Sequence, residues 1–158
     1  QANPLLAGPS CAQPRFVDQG DGSVLDNLTS LVWEQKSDDG GLHDKDDLYT
    51  WSAPGSFAET GTAFSTFLPA LDAATFAGAA DWRVPTLAEL QTILPAAYPC
   101  PYPCIDPLFG LASGSRHWTS TSGATPDMAW FASFDDGQIG FDDVKEVPYA
   151  VRAVRGRL

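Results

Sequence analysis

Basic residues are scarce in this chain. Of its 158 residues, nine are Lys or Arg and twenty are Asp or Glu, which gives a formal net charge of −11. Because proteins contact nucleic-acid phosphates mainly through Lys and Arg, this balance argues against a nucleic-acid partner and disfavours an anionic membrane surface. A cationic partner, bound cations or solubility in an extracellular medium would fit the charge. No stretch approaches 18 uninterrupted apolar residues, so the sequence predicts no insertion into a membrane.

Charged residues of both signs make up only 18% of the chain, whereas Gly and Pro number 14 and 13. Five Trp and nine Phe supply ample apolar surface, so the composition is that of a folded, loop-rich domain and not of a disordered chain. Residues 1–14 are rich in Pro and lack periodicity, which predicts an extended arm or linker. Residues 15–158 are predicted to form a single domain.

Cysteine is also rare. Cys100 and Cys104 lie four residues apart in the run PCPYPCID, and the third cysteine is Cys11. We predict a Cys100–Cys104 disulfide, because a zinc knuckle would need two further ligands nearby and the run has none. A pairing of Cys11 with either of them is the alternative. The chain starts at Gln1, which suggests signal-peptide removal, although an isolated domain would look the same; with the disulfide, this favours an exported, extracellular or cell-surface protein.

Short apolar runs separated by turn residues predict strands near both ends of the chain. A hairpin is expected from 16–17 through the GDG turn into 23–25, where Asp18 or Asp21 would bond turn amides, and a strand follows at 31–33. Further β runs occur at 117–122, 128–134, 138–141 and 149–155, with a hairpin turn at Asp136–Gly137. We expect the first and last strands to pair.

Two helices are predicted between these strands. The first, at 62–77 with a kink at Pro69 and an end at Gly78, rests on apolar residues at helical spacing: Phe64, Phe67, Leu68, Leu71 and Ala74. The second begins with a capping box, in which Thr86 accepts from the Glu89 amide and Glu89 reaches back to the Thr86 amide, and it ends before Pro95. Strands, helices and strands in this order predict an α+β fold.

Six motifs follow one another along the chain: RFVDQGDGSVLDNLTSLVWEQ, DWRVPTLAELQ, PCIDPLFG, HWTSTS, AWFASFDDG and YAVRAVRG. In this order they resemble the family named for the C-terminal domain of the Legionella collagen-like protein, over residues 15–156. The resemblance implies a C-type-lectin-like fold with two helices and a central antiparallel sheet. It also implies a relationship to the formylglycine-generating, sulfatase-modifying branch, whose RLPTEAEW helix start is similar to RVPTLAEL here.

The same resemblance implies a secreted or surface-displayed prokaryotic module that binds ligands. Collagen-like members bind glycosaminoglycans as trimers, and other members are variable proteins of diversity-generating retroelements. This chain departs from its relatives in three ways: it has TPD at 125–127 but no Trp-Asn-Asp strand for calcium-dependent sugar binding, no late cysteine pair, and no collagen-like repeat. The only basic cluster that could meet an anionic glycosaminoglycan is Arg152, Arg155 and Arg157.

The stretch SDDGGLHDKDDLYTW at 37–51 is the strongest candidate for a metal site. An EF-hand is excluded, because a start at Asp44 puts Leu48 at the fifth position and Tyr49 where Gly is required. An irregular calcium cage stays open, with candidate ligands Asp38, Asp39, Asp44, Asp46 and Asp47. The alternative is a solvated structural loop whose carboxylates cap backbone amides, which is the usual fate of carboxylate runs.

Nothing in the sequence predicts catalysis. His43 and His117 are the only histidines, and no Gly-x-Ser-x-Gly elbow occurs. The pairs Asp135–Asp136 and Asp142–Asp143 could imitate a glycosidase dyad, but adjacent strand residues point to opposite faces and the first pair belongs to a turn. We therefore predict a protein that is not an enzyme.

We predict a ligand-binding face in the final third of the chain, where residues between the motifs lie on strand ends and loops. They are Ser115, Arg116, Asp127, Met128, Asp135, Asp136, Gln138, Asp142, Asp143 and Lys145. The function predicted is an exported, adhesin-like module that binds a protein or glycan. Two alternatives stay open: a structural subunit that forms homo-oligomers or assemblies through residues 1–14 and Cys11, and a retroelement-diversified binding protein.

Overall fold

The computed structural model describes residues 13–95, 100, 104–110 and 116–158, with the side chains of 141–143 excepted. Within these residues the chain forms two antiparallel sheets and two short α-helices, which confirms the predicted α+β class. Residues 1–12 of the predicted arm, with Cys11, lie outside the described residues. None of the described helices has the length and hydropathy that a membrane span requires.

The first sheet begins with the predicted hairpin. Its strands run in the order β1-β2-β3-β7 and comprise β1 (Phe16–Asp18), β2 (Ser23–Asp26), β3 (Val32–Glu34) and β7 (Val154–Arg155). In the hairpin turn, Asp18 Oδ1 accepts the Gly20 amide at 2.8 Å and Asp21 Oδ1 accepts the Ser23 amide at 3.0 Å. Both predicted turn contacts are therefore confirmed.

The second sheet, in the order β4-β5-β6, comprises β4 (Arg116–Ser122), β5 (Met128–Ser133) and β6 (Ile139–Val144). Its β5–β6 turn contains Gly137 at φ 83°, as the Asp136–Gly137 pair predicts. The structure thus has two sheets where the resemblance implied one central sheet.

The C-terminal segment joins the two sheets. Ala150 exchanges backbone hydrogen bonds with β4, and three residues later the chain bonds to Glu34 and enters the first sheet as β7. The prediction that the first and last strands pair is wrong, because β7 pairs with β3 and leaves β1 at the opposite edge. The predicted strand at 149–155 is also divided, because Ala150 bonds to β4 of the second sheet whereas β7 belongs to the first sheet.

The first predicted helix is shorter than expected. A π-helical turn (Ala63–Phe67) leads into α1 (Leu68–Ala73), and Pro69 falls in the first turn of α1, the part of an α-helix where proline is best tolerated. Ala74, which caps the C-terminal end of α1, is exposed, contrary to the prediction, and Thr75 and Ala77 both have φ 48°, so the helix does not continue. A 3-10 turn (Phe76–Gly78) follows.

The second helix, α2 (Leu87–Thr92), confirms the predicted capping box. Thr86 Oγ1 accepts the Glu89 amide at 3.2 Å, and Glu89 Oε2 accepts the Thr86 amide at 2.9 Å. Because α2 packs on β4 and β5 and buries Leu90, the cap fixes where the helix meets the second sheet.

The second sheet is packed on both faces. On one face, Trp118 and Phe131 are cross-strand partners in a cluster with α1 residue Leu71. On the other, Ala132 belongs to a second cluster with Leu90 of α2. Since alternate residues of a strand point to opposite faces, β5 divides its side chains between two cores.

A substitution of Gly110, which follows the 3-10 turn Pro107–Phe109, tests how much its contact with Lys36, just after β3, contributes to stability. Gly110 has φ +79°, and the Lys36 carbonyl oxygen lies where a Cβ would be placed. Because both the left-handed backbone and this contact resist a side chain, we expect Gly110→Ala to lower the free energy of unfolding by about 3 kcal/mol. Gly20→Ala is the matched control: φ is +75° with nothing within 4 Å, so it should lose only about 1 kcal/mol in urea unfolding. Equal losses would show that the contact is unimportant.

Candidate functional site

A buried carboxylate lies at the junction of the two sheets. Glu34 is fully buried; its Oε1 contacts Lys36 Nζ at 2.9 Å and His43 Nδ1 at 2.8 Å, and its Oε2 accepts the Ala153 amide at 2.8 Å. Arg152, also fully buried, donates from Nη1 to the Glu34 carbonyl at 2.8 Å and to the Phe109 carbonyl at 2.7 Å. We call Glu34, Lys36, His43 and Arg152 the junction network.

In the junction network, burial and the neighbouring charges shift the pKa of a side chain in opposite directions. Burial alone would raise the pKa of Glu34, but Lys36, His43 and the Ala153 amide hold that pKa below its ordinary value. Burial lowers the pKa of Lys36, and it lowers the pKa of Arg152 to about 10, so Arg152 stays cationic at neutral pH. With Glu34 and Arg152 closed to solvent, the arrangement holds chain segments together and offers these two groups to no ligand.

The predicted basic cluster does not form at the surface. Arg152 is buried in the junction network, and Arg155 Nε donates to Asp81 at 2.9 Å. Only Arg157 is left exposed without such a partner among the described residues. The sequence suggested a patch because three arginines lie close together, but only burial separates their roles.

The acidic stretch brings three of its five predicted ligands together. Carboxylate oxygens of Asp38, Asp44 and Asp46 lie within 4.8 Å of one another, whereas Asp39 and Asp47 are not part of the group. Lys45 Nζ already lies 3.3 Å from Asp38 and 2.6 Å from Asp46. A cationic side chain of the protein therefore neutralises part of the charge that a calcium ion would meet.

Carboxylates of this stretch cap backbone amides. The two carboxylate oxygens of Asp44 accept the Gly40 amide at 2.6 Å and the Asp46 amide at 2.9 Å, and these bonds lower the pKa of Asp44. Asp39 Oδ1 accepts the Gly41 amide at 2.9 Å. The structural role predicted as the alternative is confirmed for these two residues, while calcium binding stays a prediction.

The predicted ligand residues separate into two groups at opposite ends of the second sheet. Arg116, at the start of β4, pairs with the end of β5, beside the β5–β6 turn that carries Asp135, Asp136 and Gln138. Asp127 and Met128 lie at the other end, where Met128 pairs with Val144. Six residues of extended strand span about 16 Å, so one small ligand could not contact both groups. Ser115 and the side chains of Asp142 and Asp143 lie outside the described residues.

Lys145 bonds to other parts of the chain and is not presented to a ligand. It is buried, and its Nζ donates to the Phe57 carbonyl at 2.9 Å and to Ser122 Oγ at 3.1 Å, 3.9 Å from the centroid of the Trp51 ring. Its position between the motifs, on a strand end or loop, suggested a ligand contact. Its three partners instead make it a link between the loop at 51–57 and the two strands.

The turn between β5 and β6 is supported by the predicted disulfide. Cys100 and Cys104 are bonded, and their amides donate to the carbonyls of Asp136 at 3.1 Å and Phe134 at 2.7 Å. Asp136 Oδ1 also accepts the Gln138 amide at 3.0 Å. The turn thus rests on a cross-linked segment, and we call Asp135, Asp136 and Gln138 the braced turn.

A groove of about 440 Å³ lies away from the braced turn. Its apolar surface comes from Phe64, Leu68 and Val84, and charged residues at its border include Glu59 and Arg157. The sequence gave no local signal for this groove, because its lining comes from four separate stretches of chain.

The family model of the Lcl C-terminal domain matches residues 22–155, most of the chain. The chain belongs to the Lcl C-terminal domain family. No curated protein matches it. The match begins after β1 and ends with β7, so it covers both the junction network and the braced turn of this Lcl C-terminal domain.

Glu34→Gln tests the junction network of this Lcl C-terminal domain. Because the change leaves Lys36 and Arg152 buried without their anion, we expect a loss of about 3–5 kcal/mol of unfolding free energy at pH 7. The folded-state pKa of Glu34 lies below its ordinary value of 4.5, so its stabilising contribution is complete above pH 4.5 and is lost as the pH falls through the folded pKa. The difference from wild type should therefore shrink on acidification. Asp72→Asn, on the exposed side of α1, is the control; an equal loss in both variants would contradict the assignment.

The acidic stretch should hold its shape without a metal. Because Asp44 bonds two backbone amides, we expect EDTA to leave the Tm unchanged and Asp44→Ala to lower it. Asp46→Ala, which removes only a contact with partly exposed Lys45, should change the Tm little. A clear rise in Tm on adding millimolar calcium to chelated protein would contradict this expectation and favour the calcium cage.

Proposed function

We propose that this domain is an exported, non-enzymatic ligand-binding module with a C-type-lectin-like fold, and that the braced turn contacts the ligand. The observation that carries the proposal is the support of this turn by the disulfide-linked segment. Binding residues are effective when a rigid scaffold presents loop side chains, because little conformational entropy is then lost on binding.

The charge of the braced turn favours a cationic ligand surface. Asp135 and Asp136 are half-buried and Gln138 is exposed, and Asp135 makes no side-chain hydrogen bond to the described residues. Arg116, the nearest cation at this end of the sheet, lies 4.6 Å from the Phe131 ring centroid and donates to the Tyr149 hydroxyl at 2.9 Å. It therefore packs on the protein, and the turn presents mainly acceptors. A polyanion such as a glycosaminoglycan would be repelled, so a basic protein or amino-sugar glycan is the better ligand class.

The proposal is tested with a protein and glycan array, probed with and without calcium, with the mass in solution measured on the same sample. The double variant Asp135→Asn/Asp136→Asn removes both charges while an amide oxygen can still accept the Gln138 amide. We expect it to bind the array ligand at least about tenfold more weakly, through loss of charge-assisted contacts. Asp38→Asn/Asp72→Asn removes two exposed charges elsewhere and should bind normally. Unchanged affinity of the turn variant, or an array without any ligand, would exclude this function for the braced turn.

A further inference from the structure

The groove combines an apolar floor with a fixed polar wall. Phe64 and Leu68, four residues apart on the helical segment, are half-buried, and Val84 is buried beneath them. Phe64 rests edge-on against Trp51, with ring centroids 5.3 Å apart. Pockets of about 300–1,000 Å³ with mainly apolar linings and few polar groups are typical of sites for small ligands.

The wall of the groove is formed by Arg83 and Glu89, whose charges are already paired with each other. Arg83 donates to both Glu89 oxygens at 2.7 and 2.6 Å and to the Gly156 carbonyl at 2.6 Å, and Glu89 is also bound to the α2 cap. These charges are therefore committed to the fold. They keep the groove in one shape and leave recognition to other groups.

Arg157 differs from the other basic residues because each of them is already bonded within the protein. All nine Lys and Arg residues lie in the described part of the chain, and every one except Arg157 is bonded to the protein. Five of them form ion pairs: Arg15–Asp26, Lys36–Glu34, Lys45–Asp46, Arg83–Glu89 and Arg155–Asp81. The other three donate to neutral oxygens: Arg116 to the Tyr149 hydroxyl, Lys145 to the Phe57 carbonyl and Arg152 to the Phe109 carbonyl. In a chain of net charge −11, the one uncommitted cation lies at the border of the groove.

Glu59 supplies an opposite charge to the lining of the groove. It makes no ion pair or side-chain hydrogen bond to the described residues. Burial lowers the pKa of Lys145, and the negative charges of Asp127 and Glu59 oppose this shift. Arg157 follows Gly156, which Arg83 holds. Ser120 of β4 also lines the groove, and its hydroxyl has no partner among the described residues.

We propose that the groove binds the C-terminal end of an extended peptide, separately from any ligand of the braced turn. The peptide carboxylate would pair with Arg157 and accept the Ser120 hydroxyl, an aliphatic side chain would cover Phe64 and Leu68, and a basic side chain would meet Glu59. A guanidinium suits a carboxylate because it presents two parallel donors.

The floor favours a peptide over a sugar. Sugar rings pack on exposed flat aromatic faces, whereas Phe64, the one ring among the described residues that line this groove, is half-buried beside two aliphatic residues. Aliphatic side chains gain most from such a floor, because burying them removes apolar surface from water. An ordinary carbohydrate also lacks the cation that Glu59 would select.

Three N-acetylated tripeptides test the proposal: Lys-Leu-Leu with a free carboxylate, its C-terminal amide, and Glu-Leu-Leu with a free carboxylate. Binding is followed by calorimetry and by NMR shifts of groove residues. We expect the first to bind about tenfold more tightly than either of the others, since each of those lacks one charge contact. Arg157→Gln should abolish the preference for acid over amide, and Glu59→Lys should transfer the preference to Glu-Leu-Leu.

Controls use exposed charges outside the groove. Arg155→Gln, whose guanidinium pairs with Asp81, and Asp72→Asn should bind the first peptide as wild type does. Equal binding of acid and amide, an unchanged preference in Arg157→Gln, or no saturable binding at millimolar peptide would overturn the proposal. Shifts of the same groove residues by glucuronic acid but by none of the peptides would overturn it in favour of a carbohydrate.

Discussion

The structure depends on one buried carboxylate. Glu34 ends β3, and through Ala153 and Arg152 it bonds to the segment that leaves β4 and enters the first sheet. Lys36 and Arg152 bring two positive charges to it, and burial makes each of these charges costly unless the others are present. The segment that leaves the second sheet is thereby joined to the last residue of β3 in the first sheet, so this cooperative group links the two sheets.

The same carboxylate reaches the acidic stretch. His43, which belongs to that stretch, contacts Glu34 Oε1 and packs on Phe76 at 4.2 Å between ring centroids. The stretch is thus attached to the core by a side chain at its centre and shaped by its own Asp-to-amide bonds. A metal would be redundant for both tasks, which explains physically how a run of aspartates can serve structure.

Local chemistry was predictable from the sequence, whereas burial of charge was not. The Thr86–Glu89 box, the Asp136–Gly137 turn and the Cys100–Cys104 disulfide each depend on residues at most four positions apart, and each was predicted correctly. The role of Arg152 depends on Glu34, which is 118 residues away. Composition assigns arginine to the surface, and no spacing rule connects such distant residues. The groove was missed for the same reason.

Nearly all Lys and Arg side chains are bonded within the fold, and this determines which ligands the surface can recognise. The other basic side chains are engaged by the protein, so the outside is mainly an acidic field in which Arg157 is the unpaired cation among the described residues. Such a field repels polyanions at long range and attracts basic ligands, but it lets a single carboxylate bind where that arginine lies. Selectivity would then come from a pairing of opposite charges across an apolar floor. The scarcity of basic residues, which argued against a nucleic-acid partner, is also what would make one arginine selective under this proposal.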